Sequence, residues 1–384
     1  SASRGSVPEL LHVDPARVQD SVVDTAAFDW TPRFKGHPRA VAGVLAALVL
    51  LILWGALTGS RIPASAISDD PHRTDSAMYG VIIDRMNDGV GYYDAVAKEQ
   101  PARGYPTSPA MTVREPTLAW VTSLLGDRVM IGILWLLAAI AAGLSVWVYG
   151  RTERTRRSWV STTAVAALSV AIFAFPGGVH VHEVWVSLLI YIGLIVRGVG
   201  WTKASMALLL VAALIRELVA PVMLVMLVVA YVSRRRREAW GWAGCVAVFW
   251  VFYAVHIVRV HDMAVGPSVH SPSWVAVGGW PCVVDAVRAS SLLALVPFWV
   301  AAILVPTGLL GWVSRSGRLF DAVAAFLVSY AVLFCVVGRP NNGYWGSFVG
   351  VLLLPGIVFG LGFIVGELRD LAASTSRRKS RSLR

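Results

Sequence analysis

The stretch ASMALLLVAALIRELVAPVMLVMLVVAYV, residues 204–232, decides how the chain is laid out. It is long enough to cross a bilayer once, because roughly 20 apolar residues span the hydrocarbon core. Its middle carries Arg216 and Glu217, with Pro221 close behind. Charges at mid-membrane are costly and proline interrupts a helix. The run is therefore either one tilted crossing or two short limbs that rise and fall around an Arg216-Glu217 tip.

The flanking charges choose between these. Basic residues cluster in six short segments, 1–39, 151–158, 197–203, 233–238, 314–318 and 367–384. With a hairpin at 204–232 all six fall on one side and hold 23 of the 34 Lys and Arg residues. That is the positive-inside distribution of cytoplasmic loops. A single crossing would put Arg234, Arg235, Arg236 and Arg237 on the far side, so the sequence predicts the hairpin.

Further apolar runs lie at 41–59, 129–150, 159–176, 184–199, 240–258, 292–313, 322–338 and 345–365. The expected fold is an all-α polytopic membrane helix bundle of about ten membrane segments, eight full and two short. It divides into a cytoplasmic tail at 1–40, a transmembrane domain at 41–366 and a basic cytoplasmic tail at 367–384, expected to be disordered. The first tail has no apolar core of a signal peptide and leaves room for a short amphipathic helix. Composition agrees: 56% of residues are hydrophobic and 15% charged, against about 25% charged in soluble domains. The net charge of +11 sits in inter-span clusters, which points to membrane lipids and not to nucleic acid. Cys245, Cys282 and Cys335 offer no disulfide framework or zinc cluster.

The longest segment between spans, 60–128, falls on the outer side and has helical periodicity of its own. Thr74 is placed to cap a helix beginning at Asp75, with Met78, Val81, Ile82 and Met86 on one face. A second short helix is expected over 92–100, before Pro101. Both are suited to lie along a membrane surface. The loop opens with Asp69, Asp70 and Asp75, with His72 and Arg73 between. These carboxylates either cap and solvate a helix start or include a general base.

Four more polar constellations stand beside apolar runs. Arg103, Tyr105, Arg114 and Glu115 precede one span, and arginine suits phosphate oxygens. His182 and Glu183 open another in an HVHEVW sequence that is not a zinc signature. Arg216 and Glu217 form the hairpin tip. Arg339, Asn341, Asn342, Tyr344 and Trp345 make a late turn whose guanidinium, amides and aromatic faces fit a phosphate and a sugar ring. The loop 259–290, with His261, Asp262, His270, Trp274, Trp280 and Asp285, is expected to cap the cavity.

A first span, then an acidic motif, then amphipathic helices on the outer face resembles the start of a GT-C glycosyltransferase. The resemblance is carried by DSAMY at 75–79, by DDPH at 69–72 and by GVGYYDAVAKE, RGYP and REPTLAW between 89 and 120. It covers most of the chain in architecture and only short motifs in sequence. It implies an integral-membrane, inverting enzyme with Asp75 as base, Asp69 and Asp70 as rivals, and the four constellations lining the substrate site. The implied donor is a polyprenyl-phosphate-linked sugar, and the acceptor a lipid-linked glycan or polysaccharide. The site would face outward from the plasma membrane, with both termini cytoplasmic. No cofactor is expected, with a divalent metal at His182 and Glu183 as the lesser alternative. The alternatives are a flippase or transporter of lipid-linked glycans, or a polymerase acting on them.

Overall fold

A computed structural model describes residues 28–61, 74–263 and 270–382. Among them are fourteen α-helices, joined by short turns, and a single two-stranded β-ladder. In chain order the helices are α1 (Pro38–Thr58), α2 (Asp75–Asn87), α3 (Tyr92–Ala102), α4 (Thr117–Leu125), α5 (Asp127–Thr152), α6 (Arg156–Ala171) and α7 (His182–Gly198). Then follow α8 (Thr202–Ile215), α9 (Ala220–Val232), α10 (Arg236–His261), α11 (Trp280–Ala289), α12 (Phe298–Val313), α13 (Arg318–Val336) and α14 (Ser347–Ser382).

The centre of the bundle is α7, in which every residue from His182 to Gly198 is buried. A helix that is apolar nearly all round belongs in such a position. Around it pack α5, α8, α13 and α14. The first helix, α1, lies at the edge: Leu50, Leu53, Trp54 and Leu57 are exposed, a face that suits hydrocarbon and not water. Five helices, α1, α5, α10, α13 and α14, are long and apolar enough to cross a membrane. The limbs α8 and α9, with α12, are shorter apolar helices.

The 204–232 run is a hairpin. Helix α8 ends at Arg216, whose backbone is extended, and a single 3-10 turn, Glu217–Val219, leads into α9 with Pro221 in its first turn. Proline is tolerated there because the N–H it lacks would have no helical partner. At the base of the limbs Arg197 meets Glu238 at 2.8 Å and Arg318 donates to Thr202 at 2.6 Å. At the opposite end Glu183 meets Arg216, and Tyr330 donates to the carbonyl of Leu218. The turns before α8, α10 and α13 therefore share one end of the bundle, and the Arg216 tip lies at the other.

Lipid tails are as apolar as leucine, so close packing holds helices together in a bilayer. The pair α12 and α14 shows how: a Cβ on Gly311 would lie 1.9 Å from the carbonyl oxygen of Gly356. Only glycine allows the two backbones to meet there.

Two expectations for the tails change. The described part of the first tail is packed in: Thr31–Pro32 pairs with Arg315–Ser316, and Trp30 lies between the guanidiniums of Arg154 and Arg315, at 4.6 and 4.1 Å. Stacking of this kind draws an aromatic onto a basic loop. Any amphipathic helix before Phe28 lies outside the described residues. The described part of the final basic segment is helical: α14 continues to Ser382. No glycine or proline follows Gly366 to stop it, and the Leu, Ala and Arg residues beyond favour helix.

Candidate active site

At the Arg216 end of the bundle, segments far apart in sequence enclose a cleft of about 490 Å³. That is within the range of small-molecule sites, roughly 300–1,000 Å³. One wall comes from the outer loop. The hydroxyl of Thr74 caps α2 by accepting from Ala77 N–H at 3.3 Å, which sets Asp75 in the first turn. Behind it Met78, Tyr79, Ile82 and Ile83 pack against Tyr92, Ala95 and Val96 of α3, with Val113, Ala119 and Val260. The expected apolar face is thus rotated slightly: Tyr79 and Ile83 are buried, whereas Val81 and Met86 are only half-buried. The two helices pack on each other and on α4 and α10, and form a small core of their own.

Between α3 and α4 the chain is pinned by Gln100, whose amide donates to Pro106 O at 2.5 Å and Thr112 O at 3.2 Å. The Tyr92 hydroxyl donates to Arg114 O at 2.8 Å. This sends the Tyr105 and Arg114 side chains to the cleft. Burial, and then the charge and hydrogen bonding of Asp75, raise the Tyr105 phenol above its usual range. Tyr79, fully buried, is raised mainly by burial. Both phenols stay protonated at neutral pH and can donate.

The second wall comes from the bundle. Glu183, at the start of α7, receives the Arg216 Nε–H at 3.0 Å, and Arg216 also donates through Nη1 to Glu217 at 2.6 Å. Arg216 is 1% exposed and its charge is matched by two carboxylates.

The third wall is the turn at 339–346 with the loop before α11. Asn342 accepts from the Arg339 N–H at 3.0 Å, and its amide donates to Tyr344 OH at 3.4 Å. Arg339 Nη2 donates to Ser271 at 3.3 Å, and Arg114 Nη2 reaches Tyr344 OH at 3.4 Å. The turn presses on α11 so closely that a Cβ on Gly346 would sit 2.0 Å from Ala286 O. Trp274 and Trp345 stand edge to face, with ring centroids 6.3 Å apart. The indole N–H groups of both, and Nε of Arg339, are buried with no hydrogen-bond partner among the described residues. Buried donors of this kind call for an acceptor-rich ligand or water.

Of the candidates named from the sequence, Asp75, Tyr105, Arg114, Glu183, Arg216, Arg339, Asn342, Tyr344 and Trp345 line this cleft together. Five do not line it. Arg103 is paired with Glu99, one turn earlier on α3, which also holds Arg85. His182 is buried with its ring against Tyr79, centroids 4.6 Å apart. Glu115 is fully buried behind the wall, Glu217 backs Arg216, and the side chain of Asn341 is not described. Asp69 and Asp70 lie outside the described residues.

The sequence did not single out Gln100, Thr112 or Ser271, which also line the cleft. The 259–290 loop contributes Ser271 and Trp274, while Asp285 takes Ser60 Oγ and Arg61 N–H at 2.7 and 2.5 Å. His270 meets Ser108 at 3.1 Å. Among the described residues no group of three His, Cys, Asp or Glu is placed to hold a metal ion. Compared with known protein families, curated proteins and solved structures, the chain finds no match in any of the three.

Proposed function

We propose that this chain is a membrane glycosyltransferase of the GT-C type. It would move a sugar from a polyprenyl-phosphate donor to a hydroxyl of a lipid-linked glycan or polysaccharide on the outer face of the plasma membrane. The observation that carries this reading is the composition of one cleft. A carboxylate at a helix start, Asp75, shares it with the guanidiniums of Arg114 and Arg339 and with two tryptophans whose N–H groups lack partners among the described residues.

In the proposed step Asp75 accepts the proton of the acceptor hydroxyl, as a general base does. The hydroxyl oxygen bonds to the anomeric carbon from the face opposite the phosphate, inverting the centre. The bond from the anomeric carbon to the phosphate oxygen breaks, and its electron pair leaves with polyprenyl phosphate. Arg114 and Arg339 oppose the charge growing on that oxygen. Arg216 has a different part: with Glu183 and Glu217 it forms a closed ion triad that fixes the hairpin tip under the site. The Trp274 and Trp345 faces suit the sugar ring.

The test is turnover by the purified full chain in lipid nanodiscs, with a set of polyprenyl-phosphate sugars and a lipid-linked glycan extract. Mass spectrometry should find free polyprenyl phosphate and a glycan heavier by one sugar, in equal amounts. Movement of the lipid-linked sugar between leaflets with no new product would favour the transporter reading instead.

A further inference from the structure

Behind the cleft lies an acid that the proposed step does not use. Glu115 stands between Arg114 and the start of α4; it is 0% exposed, and neither of its carboxyl oxygens hydrogen-bonds another described residue. Its buried neighbours are all provided for. Glu183 and Glu217 share Arg216, and Glu99 has Arg85 and Arg103.

The groups facing Glu115 are Arg114 on its own segment and Arg216 with Glu217 at the hairpin tip. From α3 come Tyr92 and Tyr93, and from α10 Tyr253. His256 of α10 stands beside this group, bonded to Tyr93 OH and Val113 O, each at 3.1 Å. A carboxylate buried without a donor costs far more than keeping its proton. Charge counting leads the same way. Arg114, Arg216 and Arg339 are opposed by Asp75, Glu183 and Glu217, so a fourth carboxylate would give the site a net negative charge.

We propose that Glu115 is a buried neutral acid and a positioning residue, whose proton leaves Arg114 free for an anionic ligand. This rests on the phosphate reading of the cleft. Burial, followed by the charge of Glu217, raises the Glu115 carboxyl well above its usual range, in accord with that geometry. An ionised Glu115 would compete with the ligand for Arg114 and weaken the binding of an anion.

The probe is farnesyl phosphate, titrated against the full chain in nanodiscs from about pH 6.5 to about pH 9, where a phosphate monoester is largely dianionic. Glu115→Gln, which mimics the neutral acid, should match wild type at neutral pH, and any loss of wild-type affinity toward the alkaline end should be absent from it. A glutamine variant whose affinity at neutral pH differs from wild type on the order of tenfold, the effect of one nearby charge, or that shares an alkaline loss, overturns the proposal.

Infrared spectroscopy reads the proton directly. Wild type should show a protonated-carboxyl stretch at neutral pH that is missing in Glu115→Gln. Glu115→Asp should shift that band and keep it, which serves if the glutamine variant folds poorly. Wild type that binds farnesyl phosphate but lacks the band overturns the proposal alone. Wild type that binds no farnesyl phosphate at any pH overturns the phosphate reading, and this role with it.

Discussion

Arg216 and Arg339 look alike in the sequence and differ in the structure. Arg216 commits its guanidinium to Glu183 and Glu217, whereas Arg339 has a buried Nε with no partner among the described residues. Removing one partner of a buried ion pair strands the other charge, at a cost of about 3–5 kcal/mol. Arg216→Ala should therefore lower unfolding stability by about that amount. Arg339→Ala should melt close to wild type and lose binding of farnesyl phosphate, with Arg339→Lys restoring only part of it because bidentate geometry is gone. Chemical denaturation beside ligand titration checks both, and normal stability in Arg216→Ala would refute the triad. Ionisable residues beside apolar runs were legible as site candidates because so few survive there. The candidates outside the cleft differ in direction. Arg103 follows Glu99 by four positions, a spacing that pairs them on one helix face. His182 and Glu183 are consecutive on α7, so one points to Tyr79 and the other to the cleft.

At the scale of elements, α2 and α3 carry the first wall, and Glu99 fastens them through Arg85 of α2 and Arg103 after α3. Burial alone would raise the Glu99 carboxyl; hydrogen bonds and charge from Arg103 and Arg85 overcome that and hold it below its usual 4.5. A depressed folded value means that the stabilisation is fully present above the unfolded value and is lost as pH falls through the folded one. Amide protection over 75–102, taken relative to the intrinsic exchange rate at each pH, should fall in wild type as pH drops below the ordinary carboxylate range. Glu99→Gln should exchange faster already at neutral pH and show no such acid step. An acid step of the same size in the variant would assign it to another group. Most helices were visible as apolar runs between basic clusters, and α11 was not. Its starting signal was there, Gly278-Gly279 followed by Trp280 and Pro281, but its Val283, Val284 and Val287 face is too short to register as a span. The span expected from 292 begins at Phe298 instead, because Ser291 caps a separate 3-10 turn that ends before Pro297.

For the whole molecule, the charge rule and the packing give the same layout. The basic turns gather at one end, stitched by Arg197–Glu238 and by Arg33 on Asp321, and the cleft opens at the other. In a chain whose native cysteines are replaced, a cysteine at Asn87 should react with a membrane-impermeant maleimide on intact cells. One at Arg235 should react only after permeabilisation, and labelling of Arg235 from outside would reverse the orientation. The hairpin was legible because charge counts distinguish its two readings. The meeting of residues 75, 216 and 339 at one end of the bundle was implied by the resemblance alone, because nothing in their spacing carries such a distance. Whether Asp75 takes the acceptor's proton is read from the turnover of Asp75→Asn in the nanodisc transfer assay. The variant keeps the shape and the helix start, so it should fold as wild type does and, with one negative charge fewer in the cleft, bind farnesyl phosphate at least as tightly. Its turnover should fall by about 10²–10⁴, the usual contribution of a general base. Near-normal turnover in Asp75→Asn, with folding and binding intact, would contradict the account.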